Sequence, residues 1–410
     1  MSRSLPLLTP QQTWSVISEH IAALPVRALP LDQALGHVLA EAVCADRDLP
    51  PADRSAMDGF AVRAADLDNA PVTVSVAGEV AAGSPAAPVV APGTCVRIFT
   101  GANIPPGADT VVMVERTRED APGQVTFTNP ERQGANILRR GENARQGSEL
   151  VPAGRVLGAV HIGVCAAGGR TDVLAVSKPR VAIITTGREL LDPGIAAGAH
   201  QERDSNGPML AAALAAVGFP VIFAARVSDD NEAIVRTLHD ALAAADAVVL
   251  SGGVSVGAYD FVPTAVTAVG ARTLVHGVAM KPGKPFLFAL SPKNQPIFGL
   301  PGNPLSAATG LHEFILPALR FAAGWPKQEC QPLLRARLRE TIANKPGRQR
   351  YVLATLAWDS SGPETTAVPS QSSADLAAGA RADGTIIMPA DASGLDAGTL
   401  VDFRPWRVWP

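Results

Sequence analysis

The sequence predicts a multidomain α/β plus β protein. It would hold a doubly wound α/β domain, a small all-β module, an N-terminal helical or mixed segment and a C-terminal β-barrel-like domain. Three observations predict this. Short apolar runs alternate with helical stretches from Lys178 to about Gly324. From about Pro50 to Arg140, β-branched runs are separated by Gly, Pro and Asn turns instead. After residue 327 the chain returns to short β runs.

In chain order, residues 10–45 read as helical, with Thr9 or Thr13 as cap and apolar spacing through Trp14, Ile17, Ile21, Leu35, Val38 and Leu39. The β module, residues 51–140, takes its strands from Val72–Val76, Val96–Phe99, Thr110–Val114 and Val125–Phe127. Residues 141–178 read as joining residues 1–50 in one discontinuous domain. The α/β domain, residues 179–326, opens with Arg180–Thr185, a continuous apolar run of the kind a parallel sheet buries on both faces. A helix opens at the capping stretch Asp204-Ser-Asn-Gly-Pro and ends at Gly218. Then come strand Val221–Ala225, helix Asn231–Ala244, strand Ala247–Leu250, helix Val262–Val269, strands Phe286–Ala289 and Pro296–Leu300, and a helix from Leu305 to about Ala322. The last domain, residues 327–410, uses Leu333–Leu338, Tyr351–Ala357, Gly384–Met388 and Leu400–Val408.

Composition sets limits. The 37 Gly and 35 Pro among 410 residues exceed the usual share of about 12%. With no low-complexity repeat, that excess means many sharp turns between short elements. A net charge of −3 argues against a nucleic-acid binder, so any bound anion must be held by local positive charge. Cys44, Cys95, Cys165 and Cys330 show no CxxC or zinc spacing, which fits buried thiols in a reducing cytoplasm. The N-terminal stretch lacks a signal-peptide core. The apolar run Leu210–Ala225, broken by Gly218 and Pro220, falls short of the roughly 20 residues that span a bilayer. A soluble, cytoplasmic protein is expected.

Open parallel sheets bind ligands at the carboxyl ends of their strands. Four segments with unusual residues fall at or beside such ends: Thr185-Thr-Gly-Arg-Glu-Leu, Ser251 to Asp260, Lys281-Pro-Gly-Lys-Pro and Gly299-Leu-Pro-Gly-Asn-Pro-Leu-Ser. Around Ser251, Gly252, Gly253, Ser255 and Gly257, successive backbone N–H groups and hydroxyls suit an oxyanion, although an ordinary Gly-rich turn reads the same way. No Walker loop or dinucleotide fingerprint occurs. Lys281 and Lys284 straddle a stiff Pro-Gly pair and suit a phosphate or an oxyanion such as molybdate, although solvated turn lysines read the same way. Pro301-Gly302-Asn303-Pro304 lies between a buried strand and a helix, with backbone donors turned outward, although a purely structural helix cap reads the same way. Glu189, Asp229, Asp230 and Asp260 also fall at strand ends. Carboxylates beside an anion site call for a cation between them, and Mg²⁺ is the natural one, although each acid taken singly reads equally as surface charge. Asp58 before Gly59 reads equally as an Asx-type turn. Arg139, Arg140 and Glu142 form a polar cluster that a solvated face would also explain. No histidine has metal spacing, and no Ser-His-Asp pattern appears.

Taken together, PPADRSAMDGFAVR, IFTGANIPPGADTVVMVE, RRGENARQG, TTGREL, SGGVSVGAYD, MKPGKP and GLPGNPLSA resemble the molybdopterin molybdenumtransferases, the bacterial MoeA proteins and gephyrin E domains. The match runs from about residue 10 to 405. The resemblance implies a homodimer of four-domain subunits, with residues 1–50 and 141–178 as the linker and dimerisation domain and the β module of one subunit closing over its partner's α/β domain. It implies molybdate insertion into the dithiolene of adenylyl-molybdopterin with Mg²⁺-dependent release of AMP. It places Asp58, Glu189, Asp229, Asp260, Lys281 and Lys284 in catalysis, with Glu189, Asp229 and Asp260 as metal ligands. Thr100, Gly187, Ser251, Gly252, Gly253, Ser255, Gly257 and the Pro301–Pro304 loop would bind substrate. It implies molybdopterin adenylyltransferase and downstream cofactor-maturation or apo-molybdoenzyme proteins as partners. Arg188, Ala258, Gly277 and Asn143 depart from residues common in the family. An adenylyltransferase, whose domain resembles residues 178–324, and a non-catalytic scaffold are the rival readings, as is a tungstate-handling paralogue.

Overall fold

The computed structural model describes residues 7–255 and 260–407. The chain forms two compact units, Ala28–Leu35 with Glu41–Val173, and Met1–Arg27 with Gly36–Ala40 and Leu174–Pro410.

In the second of these, a six-stranded sheet runs in the order Val221–Val227, Val181–Thr186, Ala247–Ser251, Pro296–Leu300, Leu287–Leu290, Arg272–His276. The first four strands are parallel, Leu287–Leu290 runs opposite to them, and Arg272–His276, antiparallel to it, runs with the first four again. Arg272–His276 is a strand that the apolar pattern did not mark. The alternation expected of a strand explains why the central runs are continuously apolar. Val181, Ile183, Val249 and Phe298 pack with Leu210, Leu214, Phe314 and the N-terminal Trp14 and Ile17 on one face. Ala182, Ile184, Val248, Leu250 and Ile297 pack with Ile234, Leu238, Val262 and Val266 on the other. Each such large side chain contributes about 1.5–3 kcal/mol of burial.

The N-terminal helix is shorter than the spacing suggested. It spans Pro10–His20, opened by a capping box between Thr9 and Gln12, and Ile21 is already extended. Pro25 and Pro30 explain the correction, since neither can donate a helical N–H and each forces its predecessor out of the α region. Of residues 10–45, the rest forms Val26–Pro30 and Val43–Cys44 strands and a single 3-10 turn, Leu31–Gln33.

The C-terminal strands close on themselves. Gln349–Asp359 pairs with Gly362–Ala367, which pairs with Leu334–Leu338, then Leu400–Pro405, then Gly384–Met388, and so back to Gln349–Asp359. Closure removes the exposed edges an open sheet would carry. Met280–Lys281, from the α/β domain, adds in parallel to Gln349–Arg350. The other unit holds a sheet ordered Thr110–Met113, Gly59–Val62, Thr94–Ile98, Val72–Val80, Gln124–Phe127, Thr117–Ala121, built over Phe60, Val62, Leu67, Val112 and Phe127. Among the described residues, no helix is long and apolar enough to cross a membrane.

Candidate active site

Three adjacent parallel strands end together at Thr186, Ser251 and Leu300, and the turns leaving them form a cavity of about 700 Å³. Glu189, Ser251, Gly253, Ser255, Asp260, Pro301, Gly302, Asn303 and Pro304 line it. The loops are stitched from below. Asn206, buried at the start of its helix, donates from Nδ2 to Ser251 Oγ (2.9 Å) and to the Gly302 carbonyl (2.7 Å). Gly252 N–H donates to the Leu300 carbonyl at 3.0 Å. Gly252 has φ +100°, and a Cβ there would lie 2.2 Å from the Thr186 carbonyl oxygen, so the strand-end turn admits only glycine. Thr185 Oγ1 donates to Asp204 Oδ2 (2.7 Å), while Asp204 Oδ1 accepts from Gly207 N–H (2.9 Å). Capping patterns in Asp204-Ser-Asn-Gly-Pro were legible, but not that Asn206 and Asp204 organise two loops.

A second cavity of about 650 Å³ shares Pro285, Pro301 and Asn303 with the first. Lys281, Lys284, Arg348 and Arg350 line it, together with Ser370, Ser372 and Ser373. The strand register sets Lys281 directly beside Arg350, and Arg348 donates from Nη1 to the Met280 carbonyl at 3.3 Å. Like charges on paired positions repel unless something negative lies between them. Among the described residues, none of these four cations has a carboxylate within ion-pair distance. Asn303 Nδ2 donates to Ser373 Oγ (3.0 Å) and Leu305 N–H to the Ser373 carbonyl (3.0 Å), which fixes the Pro301–Pro304 loop against the C-terminal domain. Arg348, Arg350 and the serines were missed in the sequence. Their one signal was the pair of arginines in Gly347-Arg-Gln-Arg-Tyr, too common a pattern to single out.

The remaining candidates separate. Asp229 does not line the cavity; its Oδ2 accepts from the Arg188 N–H (3.2 Å), with Arg188 Nε 3.9 Å away. Asp230 caps the helix Asn231–Ala244 through Ala233 N–H at 2.8 Å. Gly187 follows the buried Thr186, and Gly257, Ala258 and Tyr259 lie outside the described residues. Asp58 and Thr100 meet in the β module, where they line a cavity with Met57, Met113 and Glu115. Thr100 N–H and then its hydroxyl donate to Asp58 Oδ1, both at 2.7 Å, and hold the carboxyl below the usual carboxylate range. Asp53 binds Arg139 and the Arg140 N–H, and Asp48 binds Arg140, so the arginine pair is structural.

No group of three or more His, Cys, Asp or Glu side chains is placed to hold a metal ion among the described residues. Glu189 and Asp260 do share one cavity, and two carboxylates suffice for Mg²⁺ when a substrate phosphate completes its shell.

Comparison with known proteins matches three stretches in order. Residues 8–169 match the MoeA N-terminal region (domain I and II), residues 182–321 a probable molybdopterin binding domain, and residues 335–406 the MoeA C-terminal region (domain IV). A molybdopterin molybdenumtransferase of Staphylococcus aureus is 34% identical over 93% of this chain and 91% of its own length. One from Nostoc is 37% identical over 79% of this chain and 75% of its own length. A crystal structure of the Pyrococcus horikoshii molybdopterin biosynthesis MoeA protein superposes with a TM-score of 0.81 at 28% identity, covering 98% of this chain and all of that one. The chain belongs to the MoeA family of molybdopterin molybdenumtransferases, transferases of molybdenum-cofactor biosynthesis.

Proposed function

We propose that this chain inserts molybdate into adenylyl-molybdopterin and releases AMP with the help of Mg²⁺. The observation that carries the reading is the paired cavity: Glu189 and Asp260 in one lobe, and in the other four cations against a single lining carboxylate, Glu340, with no ion pair to any of the four among the described residues, and the Pro301–Pro304 loop between the lobes. A substrate with a phosphoanhydride at one end and a metal-accepting dithiolene at the other needs both environments within reach.

The backbone donors after Ser251 and Leu300 bind phosphate oxygens. Glu189 and Asp260 would hold the cation, which would neutralise charge on the phosphates. Lys281, Lys284, Arg348 and Arg350 hold the molybdate dianion and orient it toward the dithiolene. Water attacks the AMP phosphorus, the P–O bond of the anhydride breaks, and molybdopterin leaves with its own phosphate. Each oxo group exchanged for a dithiolene sulfur departs as water, taking protons from the thiols and the medium. Asp229, through Arg188 N–H, sets the turn that presents Glu189.

Asp58 acts from the β module of a second copy, so the active species is a homodimer in the cytoplasm. The exposed Met57, Phe99 and Val114 around the Asp58–Thr100 pair support that reading, because an apolar rim about a charged residue suits a covered surface. Asp58→Asn should abolish insertion while dimer and fold survive. The molybdopterin adenylyltransferase supplies the substrate, and maturation or apo-molybdoenzyme proteins take the product.

The test is anaerobic incubation with adenylyl-molybdopterin and Mg²⁺, with and without micromolar molybdate, following AMP by chromatography. Molybdate-dependent AMP release with metal-loaded pterin supports insertion. Substrate binding with no AMP under either condition overturns it in favour of a carrier or scaffold.

A further inference from the structure

The helical segment that begins in the Pro301–Pro304 loop does not run uniformly to Ala322. Leu311–Ile315 is a π turn between α-helical Pro304–Gly310 and Leu316–Ala322. Such insertions interrupt the α-helical hydrogen-bond ladder and are frequent near functional sites. Here the turn carries Glu313, which is 4% exposed in a segment otherwise packed with Leu311, Phe314 and Ile315. Glu313 Oε1 accepts from Arg404 Nε at 2.7 Å, and Oε2 from Arg404 Nη2 at 3.2 Å and from the Tyr351 hydroxyl at 3.3 Å. Arg404 is also 4% exposed, and its Nη1 donates to the Pro332 carbonyl at 2.6 Å. Gln349 Nε2 donates to the Tyr351 oxygen at 2.7 Å.

A buried ion pair of this kind gives no clear net stability, since apolar residues of similar volume fill such a place as well or better. What it does give is direction, because a guanidinium fork on a carboxylate tolerates little rotation or sliding. The placement shows what is being directed. Arg404 lies in the strand Leu400–Pro405, and Tyr351 follows Arg350 in the strand Gln349–Asp359. Gln349 and Arg350 are the residues that pair with Met280 and Lys281. One end of the helical segment shapes the Pro301–Pro304 loop, and its π turn grips the strand that carries Arg350. Burial, then the Glu313 charge, pushes the Tyr351 phenol well above its usual range, so it stays a neutral donor.

We propose that Glu313, Arg404 and Tyr351 are positioning residues for the oxyanion lobe, fixing Arg350 beside Lys281 at the spacing that holds molybdate. This rests on the reading of that lobe given above. The test measures equilibrium binding of sodium molybdate to the full-length protein, its half-saturation in AMP release, and the thermal midpoint. Arg350→Ala checks the lobe itself and should weaken molybdate binding at least tenfold. Tyr351→Phe removes one donor to Glu313 while leaving the fork in place. It should raise molybdate half-saturation by about three- to tenfold, with turnover at saturating molybdate changed less than about twofold.

The triple variant Glu313→Met, Arg404→Met, Tyr351→Phe separates position from stability. It should regain a wild-type thermal midpoint yet keep the weak molybdate binding. If it recovers both, or if it and Tyr351→Phe bind molybdate like wild type while Arg350→Ala does not, the cluster is structural and the positioning role is overturned. If the triple variant does not fold, Tyr351→Phe alone decides. If Arg350→Ala also binds normally, the oxyanion reading of the lobe fails first and takes this inference with it.

Discussion

The two lobes of the cleft are neighbours with opposite construction. The strand-end lobe comes almost entirely from one sheet: its turns leave adjacent parallel strands, and Asn206 ties them together within a single domain. The cationic lobe is shared. Lys281 and Lys284 come from the α/β domain, whereas Arg348, Arg350 and the serines come from the C-terminal domain, about 65 to 90 residues later. A site made by one sheet inherits its geometry from the sheet's hydrogen bonds. A site made by two domains has to be held by side chains that cross between them, and the Glu313–Arg404 fork and the Asn303–Ser373 bond do this.

That contrast predicts separable defects. The largest effect is expected from Lys281→Ala combined with Lys284→Ala, with a loss of about 100-fold or more in kcat/KM for molybdate. The Mg²⁺ requirement should stay put; a shift in Mg²⁺ half-saturation instead would erase the division of labour. Gly252→Ala attacks the strand-end lobe through its backbone. The Cβ clash with Thr186 and the φ of +100° should cost about 2–4 kcal/mol, read as a lower thermal midpoint. A wild-type midpoint would mean the turn is more plastic than its close approach suggests.

Glu189→Gln should raise Mg²⁺ half-saturation about tenfold and leave molybdate half-saturation unchanged. Asp229→Asn, which keeps an acceptor for Arg188 N–H, should change it less. Equal losses in the two variants would put Asp229 on the cation after all. The smallest effect belongs to Thr100→Val in the β module. Asp58 is ionised above its lowered pKa and loses its charge as pH falls through it. Removing the hydroxyl donor moves that pKa up toward the ordinary carboxylate range, so the acid limb of AMP release should shift to higher pH. The Thr100 backbone N–H, the larger cause of the lowering, remains in this variant and limits the change.

The architecture of the α/β domain was legible because a strand buried on both faces has to be apolar throughout, as Val181–Thr186 and Ala247–Ser251 are. Arg272–His276 was not, because it is an edge strand with an exposed arginine and partly buried neighbours and so lacks that pattern. The N-terminal spacing misled for a related reason: apolar residues recur at helical intervals through residue 39, but the prolines at 25 and 30 forbid the backbone. In the site, Glu189, Asp260, Lys281, Lys284 and the Pro301–Pro304 loop were marked by glycines, prolines and charges crowded at strand ends. Arg348 and Arg350 carried no such local mark, since their role depends on a strand pairing with Met280–Lys281.

By itself the sequence determined most elements of the α/β domain, the strand-end turns and the family, because periodicity, proline, glycine and short motifs act within a few residues of where they are written. Only the tertiary structure decided that Asp229 serves Arg188, that Asn206 joins two loops, and that four cations from two domains face one cavity. Those facts arise from pairings between residues roughly 40 to 100 positions apart. No local propensity encodes such distances; the packing of one domain's strand beside another's does.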